Sequence, residues 1–515
     1  MAGEGLGSYG MLHRLEEVLF GGRSRRAVRK AAPAADEATL FGVDPDRAAS
    51  SMPRILWVEL TSTCPCDCIF CTRRERFGAG RHMDYALYEK LIAELDAPDA
   101  ILLSYFGESL YYPRLLDAIS LAVKTGASTG LITTFPPIKS ALLEGILQSG
   151  LDELSVSLHT MDPAQYAAIY GSGSLDGLKR RVEEFLVRKA ALRVTKPRLN
   201  FCFVAMHDNL AQMPAVAEFA RGAGALELTV HPVCGHGLPP AKFERELSGG
   251  RLTESFREDL RRVLSEVRQA HPGLAVNVSN PDAEPCLPLG ESPANFPAGL
   301  PDGARILSCY QSPFESVRVA AGGDVVGCAL LAEGPLGSLR ERSLEAIWRG
   351  ERFRELRRRY ALDPHPACRE CTWKMAFVPH VLRRRIAIAE GMSAQLLRGW
   401  HGHEGTGLLW SRRNALAVLS NAGRFGHVAV EGILPHGPAG AANSLRLVCN
   451  GVTIGEVRNE TGAFLPFDVR LRLPKAWEQL YIEFTTAHVH RPSLHGSSPD
   501  SRDLGAGIQS IEALD

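Results

Sequence analysis

Between about residues 54 and 275, short apolar runs alternate with longer amphipathic stretches, and this alternation limits the possible fold more than anything else in the chain. The runs at 55–60, 100–106, 129–133, 153–158, 199–204 and 226–230 are brief and rich in Leu, Ile, Val and Phe, which predicts six strands. The stretches at 85–95, 113–125 and 213–222 repeat apolar residues at helical spacing. Strands alternating with helices imply parallel pairing through crossover helices, an α/β fold. Six such units fit an open, partial (β/α)6 barrel as well as an open doubly wound sheet. In either case chemistry belongs at the carboxyl ends of the strands.

The chain of 515 residues is too long for one ordinary core, and its character changes along its length. Residues 1–50 read as an accessory arm with a short amphipathic helix around Leu12, Leu15 and Val18. The α/β segment spans 51–275. Residues 276–378 are richer in Pro, Gly and clustered cysteines, and 379–424 read as a basic helical linker. From 425 to 515 the period becomes two: Leu445, Leu447 and Cys449 alternate with polar neighbours, as do Leu480, Ile482 and Phe484. This predicts a β-sandwich. Arg-rich stretches such as 357–359 and 383–385 read as solvated helix faces.

Lys+Arg and Asp+Glu are both 58, so no net field draws the protein to nucleic acid or an anionic membrane. No apolar run reaches the ~18 residues of a membrane span, and the first residues lack a signal-peptide plan. The expected location is cytoplasmic. Twelve cysteines in a reducing compartment point to metal rather than to disulfides.

Cys64, Cys68 and Cys71 follow directly on the first predicted strand, spaced three and then two residues apart. A tight loop can aim three thiolates at one iron–sulfur cubane and leave its fourth iron open. Catalytic zinc, with three ligands and an open position, is the alternative, and CxxC pairs also serve thiol redox chemistry. Cys66 falls outside this register and reads as a spare thiol.

With Phe70 just before the last cysteine, this loop resembles the signature of the radical S-adenosylmethionine (SAM) superfamily. The resemblance covers about residues 54–375. It implies a SAM-binding 4Fe–4S cluster on Cys64, Cys68 and Cys71, with Phe70 packing against SAM. Tyr105-Phe106-Gly107-Glu108-Ser109 resembles the family's Gly-Gly-Glu-Pro motif, which implies that Gly107 and Glu108 meet the SAM amino group; Phe106 and Ser109 depart from the pattern. The fourth strand, through Ser155 and Ser157 to His159, resembles the family strand that reaches the SAM ribose. The segment 201–210 resembles the family's fifth strand and the loop after it, without the fuller Gly-containing motif.

Cys309, Cys328, Cys368 and Cys371 form a second set around a hairpin predicted to turn at Gly322-Gly323. This segment is similar to the SPASM/twitch extension of radical SAM enzymes, which implies one auxiliary 4Fe–4S cluster; structural zinc on the same thiols is the rival. Cys202 and Cys449 read as core cysteines, and Cys286 as a loop residue. Cys234, just past the sixth strand, is a candidate hydrogen-atom donor to a substrate radical.

Residues 490–505 resemble the β-sandwich tails of polysaccharide-synthesis enzymes, with Asp500 and Arg502 a candidate pair to pin the loop. Together the resemblances imply an enzyme that cleaves SAM reductively to a 5′-deoxyadenosyl radical and removes hydrogen from a substrate. A small molecule, sugar or glycan is the expected substrate, through epimerisation, oxidation or deoxygenation. A reducing partner such as flavodoxin or ferredoxin is implied. A radical SAM peptide or protein modifier is the alternative, and a non-catalytic zinc-binding interaction protein the more distant one.

Overall fold

The computed structural model describes residues 52–515 apart from 75–77, 97, 234–242, 249–250, 279–304, 310–312, 314–315, 329–333, 363–367, 369–373, 378–381, 391–392, 394, 402–406, 439–440 and 493–501. The N-terminal arm, Cys234, Cys286, Cys371 and Asp500 therefore lie outside the described residues.

All six predicted strands form. They are β1 (Ile55–Val58), β2 (Ala100–Leu102), β3 (Ser128–Thr133), β4 (Glu153–Ser157), β5 (Arg198–Ala205) and β6 (Glu227–Pro232), paired in parallel and in chain order. Helices α1 (Tyr85–Ala93), α2 (Leu115–Lys124), α3 (Ser140–Gln148), α4 (Pro163–Tyr170), α5 (Leu175–Leu192) and α6 (Met213–Gly222) supply the crossovers. Beyond β6, helix α7 (Glu254–Ala270) leads to a seventh parallel strand, β7 (Ala275–Val278).

Register explains which face the helices cover. Leu56, Ile101, Leu131, Leu154, Phe201 and Leu228 stand on one face and share a buried core with helix residues such as Tyr88, Leu115 and Phe185. Side chains alternate along a strand, so the opposite face carries Ser155, Ser157, Asn200, Cys202, Thr229 and His231. That inner face is polar.

The cysteine-rich segment does not stand apart. After β8 (Arg305–Cys309), the predicted hairpin forms from β9 (Ser316–Val319) and β10 (Asp324–Val326), and Gly323 takes a φ of +93° at its turn. Strand β9 pairs in parallel with β1, and β11 (Gly337–Ser338) adds beyond β10. One ten-stranded sheet results, in the order β11-β10-β9-β1-β2-β3-β4-β5-β6-β7. Helices α8 (Leu344–Trp348) and α9 (Glu351–Leu362) follow, and β12 (Lys374–Phe377) returns to pair with β8.

The expected helical linker at 379–424 is corrected. Its described residues form β13 (Arg385–Ala387), β14 (Leu396–Trp400) and β15 (Leu409–Ser420). Gly399 sits at φ +74°, where a Cβ would meet Asn414 O at 1.9 Å. The run from Ala415 to Leu419 is buried at every position, as an interior strand requires. The arginines of 383–385 flank a strand edge: Arg385 faces Glu512 across the pairing of β13 with the last strand.

The sandwich continues with β16 (His427–Leu434), β17 (Asn443–Cys449), β18 (Val452–Asn459), β19 (Leu465–Arg472), β20 (Gln479–Thr486) and β21 (Gly507–Leu514). Long β15 joins its two layers, pairing with β20 over Asn414–Ser420 and with β21 at Leu409–Trp410. Leu445, Leu447, Cys449, Leu480, Ile482 and Phe484 all point into the core between them.

Candidate active site

The cysteine loop leaves the carboxyl end of β1 and is held from three sides. Asp67 N donates to Tyr170 O at 2.9 Å and Ile69 N to Ile169 O at 3.0 Å, which ties the loop to the end of α4. Gly171 follows in the left-handed region at φ +66°, where a Cβ would press on Asp67 at 3.3 Å. Beneath the loop, Ser62 N donates to Arg81 O and Arg81 N to Ser62 Oγ, both at 2.9 Å, and the buried Arg73 donates to Ser62 O at 3.2 Å. Glu59, also buried, accepts from Ala321 N at 3.0 Å and so links β1 to the cysteine-rich segment. Sequence reasoning missed this network. Its polar residues carry no pattern of their own and become partners only when residues 81 and 321 fold back on residues 59–62.

The third hold is the Gly107-Glu108 turn. Glu108 N donates to Thr63 O at 2.9 Å. At Gly107 a Cβ would meet Thr61 O at 1.9 Å, so only glycine lets the β2 turn lie this close to the approach to Cys64. The Glu108 carboxylate is buried and accepts four bonds: from Leu110 N (3.1 Å), Thr133 Oγ1 (2.8 Å), Thr134 N (2.8 Å) and Thr134 Oγ1 (2.8 Å). Burial raises its pKa, with the Thr134 bonds acting against the rise. Glu108 thus fastens β3 to the turn after β2.

Cys66 is not a bystander. Its Sγ lies within hydrogen-bonding reach of Cys64 and Cys68, at 3.4 Å from Ser172 Oγ and at 3.8 Å from Thr134 Oγ1. Thr134 in turn bonds Glu108, so the thiols and the carboxylate form one continuous network. Bonds from Cys64 and Cys68 hold the Cys66 thiol down, while the bond with Cys66 and burial push Cys68 up. Phe70 is half-buried and meets His159 edge-on, with ring centroids 5.1 Å apart.

On the inner face, Ser157 Oγ and Cys202 Sγ are 3.3 Å apart. Ser155 also bonds Cys202, whose thiol burial pushes up. Cys202 is buried, as a core cysteine is, and stands on the polar face beside Ser155 and Ser157. Cys449 does lie in the sandwich core. His159 is a structural histidine. Its Nδ1 accepts from Val204 N at 3.1 Å, and its ring stacks on Tyr170 at 5.2 Å. Burial, with His231 nearby, lowers its pKa to about 3.

The second cysteine set is described in part. Cys309 ends β8, while Cys328 and Cys368 are half-buried. Arg491 Nε donates to Asp503 Oδ1 at 2.7 Å at the base of the tail loop, while the expected pair falls on Asp500, outside the described residues. Arg491 also reaches Asp152, just before β4, at 3.9 Å, and Arg413 reaches Asp99, just before β2, at 3.9 Å. The sandwich is therefore seated at the amino ends of the strands, opposite the cysteine loop.

A loop that gathers four cysteine thiols, none of them in a disulfide, suits an iron–sulfur cluster. Among the described residues, no three His, Cys, Asp or Glu side chains converge to hold a single metal ion. The fold and this loop define a class: iron–sulfur enzymes with the cluster at the mouth of a parallel sheet. Comparison with known proteins gives the family. Residues 58–196 match the radical SAM superfamily, and residues 309–372 match SPASM, an iron-sulfur cluster-binding domain. The chain carries a radical SAM domain and a SPASM domain, which imply a SAM-binding 4Fe–4S cluster, auxiliary 4Fe–4S chemistry and SAM itself.

Among curated proteins, the chain is similar to a tungsten-containing aldehyde ferredoxin oxidoreductase cofactor-modifying protein of Pyrococcus furiosus. Identity is 21% over 330 residues, covering 63% of this chain and 88% of the relative. It is also similar to a PqqA peptide cyclase of Gluconobacter oxydans, 28% identical over 272 residues, 50% of this chain and 71% of the relative. Among solved structures, Streptococcus suis SuiB bound to precursor peptide SuiA matches with a TM-score of 0.45 and 15% identity, covering 68% of this chain and 77% of that one. Among the described residues, no helix is long and apolar enough to cross a membrane.

Proposed function

We propose that this protein is a radical SAM enzyme that removes a hydrogen atom from a peptide substrate bound against the inner face of its sheet. The observation that carries the radical chemistry is the cysteine loop at the end of β1, held beside Gly107-Glu108 by the Glu108 N to Thr63 O bond. The likeness to a peptide cyclase over half of the chain supports the substrate class. A sugar or glycan substrate rested on the tail, and a sandwich seated at the amino ends of the strands does not bring a glycan to the cysteine loop.

When bound, the open cluster and SAM supply the one-electron cleavage that starts the reaction. Cys64, Cys68 and Cys71 would hold the cluster. Gly107 would let the β2 turn approach SAM, and Glu108, which accepts from Thr133 and Thr134, would stand with Gly107 where the SAM amino group binds. Phe70 would shield SAM, and Ser155 and Ser157 would meet its ribose. Cys309, Cys328, Cys368 and Cys371 would hold an auxiliary cluster. Cys234 stays a candidate hydrogen donor, and a flavodoxin- or ferredoxin-type reductant would supply the electron.

Anaerobic reconstitution of the full chain should give about eight irons, from two cubanes. Replacing Cys64, Cys68 and Cys71 together with Ala should leave about half of that iron and abolish SAM cleavage. Wild-type protein that carries zinc and little iron overturns the reading. For the substrate class, co-expression with a short peptide encoded beside the gene should change that peptide's mass. Turnover of a sugar nucleotide, with the peptide untouched, would return the glycan reading.

A further inference from the structure

Helix α9 carries Arg357 into a place where a cation is hard to keep. The side chain is fully buried, at 0% exposed, which corrects its reading as part of a solvated face. Its guanidinium lies over the rings of Trp348 and Phe353, 4.1 and 4.7 Å from their centroids. Nε donates to Pro313 O at 3.1 Å and Nη1 to Trp348 O at 2.9 Å. The third nitrogen, Nη2, is buried without a hydrogen-bond partner among the described residues. Burial pushes the Arg357 pKa down to about 9, and among the described residues no anion acts against it. Carbonyl dipoles and aromatic faces soften a buried positive charge, but an unanswered one remains costly.

The surroundings suggest what answers it. Helix α9 lies against β8, which ends at Cys309, and the Pro313 carbonyl that receives Nε stands shortly beyond that cysteine. Leu356, next to Arg357, packs on Gly327, the neighbour of Cys328; a Cβ there would meet Leu356 Cδ2 at 2.3 Å. Cys368 follows soon after the end of α9. Segments that carry three of the four expected auxiliary ligands thus border the helix that carries this buried cation. A cubane held by four thiolates is an anion, and its negative charge grows by one on reduction.

We propose that Arg357 is the buried counter-cation of the auxiliary cluster and favours its reduced form. This rests on the reading that Cys309, Cys328, Cys368 and Cys371 hold that cluster. A fixed positive charge in a low-dielectric site stabilises the more negative state and so raises the reduction potential.

The test uses the full chain with Cys64, Cys68 and Cys71 replaced by Ala, which leaves auxiliary iron alone. Iron content and the midpoint potential from an EPR-monitored titration are compared for this chain and for its Arg357→Met and Arg357→Lys versions. Arg357→Met should shift the reduced-to-oxidised ratio at fixed potential about tenfold toward oxidised, equivalent to about 59 mV for a one-electron couple. Arg357→Lys, which keeps the charge, should stay near the parent. An iron-loaded Arg357→Met with the parent's potential overturns the proposal and leaves the cluster reading intact. If Arg357→Met loses its iron, retention by Arg357→Lys at the parent's potential supports the proposal, and loss from both overturns it. A parent chain without auxiliary iron brings down the cluster reading instead.

Discussion

The parallel sheet and the C-terminal sandwich use the same two-residue alternation for opposite ends, and their two buried cysteines show the difference. Cys449 stands on β17 with Leu445 and Leu447 as same-face neighbours, inside a core that is apolar on both sides. Cys202 stands on β5 next to Ser157, on a face whose register neighbours are Asn200, Thr229 and His231. The sandwich turns its polar residues to solvent and its apolar ones inward. The parallel sheet spends its apolar face on the helices and keeps its polar face for the interior. Function is expected where polar residues point inward, because such groups need partners that a closed core does not supply.

The largest expected break in this comparison is at Gly107. Gly107→Ala would drive a methyl into Thr61 O and Ser62 Cα. It should cost at least about 1–3 kcal/mol of stability and prevent iron loading on the first cluster. Denaturant titration with iron analysis checks both. A glycine changed in an open sandwich turn, such as Gly462, whose Cβ would meet nothing within 4 Å, should do neither.

The cysteines sharpen it next. Cys449→Ser places a hydroxyl in an apolar core and should destabilise the protein by about 1–3 kcal/mol. Cys202→Ser finds Ser155 and Ser157 as partners and should cost under about 1 kcal/mol. Equal losses in the two variants, measured by chemical denaturation, would erase the proposed contrast between the faces.

Acid should act on the parallel sheet through His159. Its folded pKa, about 3, lies below the ordinary 6.5. Above that ordinary value both states are neutral and nothing is lost. Below it the unfolded chain takes up a proton that the folded one refuses, so stability falls by up to about 1.4 kcal/mol per pH unit. His159→Gln keeps an acceptor for Val204 N and should flatten the denaturation profile between about pH 6.5 and pH 5. An unchanged slope would remove His159 as its source.

The smallest effect is expected where the two regions meet. Arg491→Ala removes a bond to the partly exposed Asp503 and a longer contact to Asp152. It should cost under about 0.5 kcal/mol and loosen the tail loop. Limited proteolysis should cut that loop faster while SAM affinity holds. A fall in SAM affinity would mean that the sandwich acts on the site after all.

How much was legible follows from where each signal lies. The six strands, the hairpin at Gly323 and the sandwich were readable because their periods sit in contiguous residues. The segment at 379–424 was misread because basic residues and short apolar runs suit a helix or a strand, and only pairing with β20 and β21 decided it. Cys64, Cys68 and Cys71 were readable because their spacing is local. The place of Cys66 was not, since Ser172 and Thr134 reach it from α4's end and from β3's end.

By itself the sequence determined the order of the six parallel strands, the radical SAM signature and the thiols available to hold iron, all properties of neighbouring residues. Tertiary structure alone decided that β9 extends the main sheet through β1, that Glu108 is saturated by Thr133 and Thr134, that Arg357 is buried and that the sandwich sits at the amino ends of the strands. Each of these joins residues far apart in the chain. Their energies come from register, desolvation and burial, which no local pattern encodes.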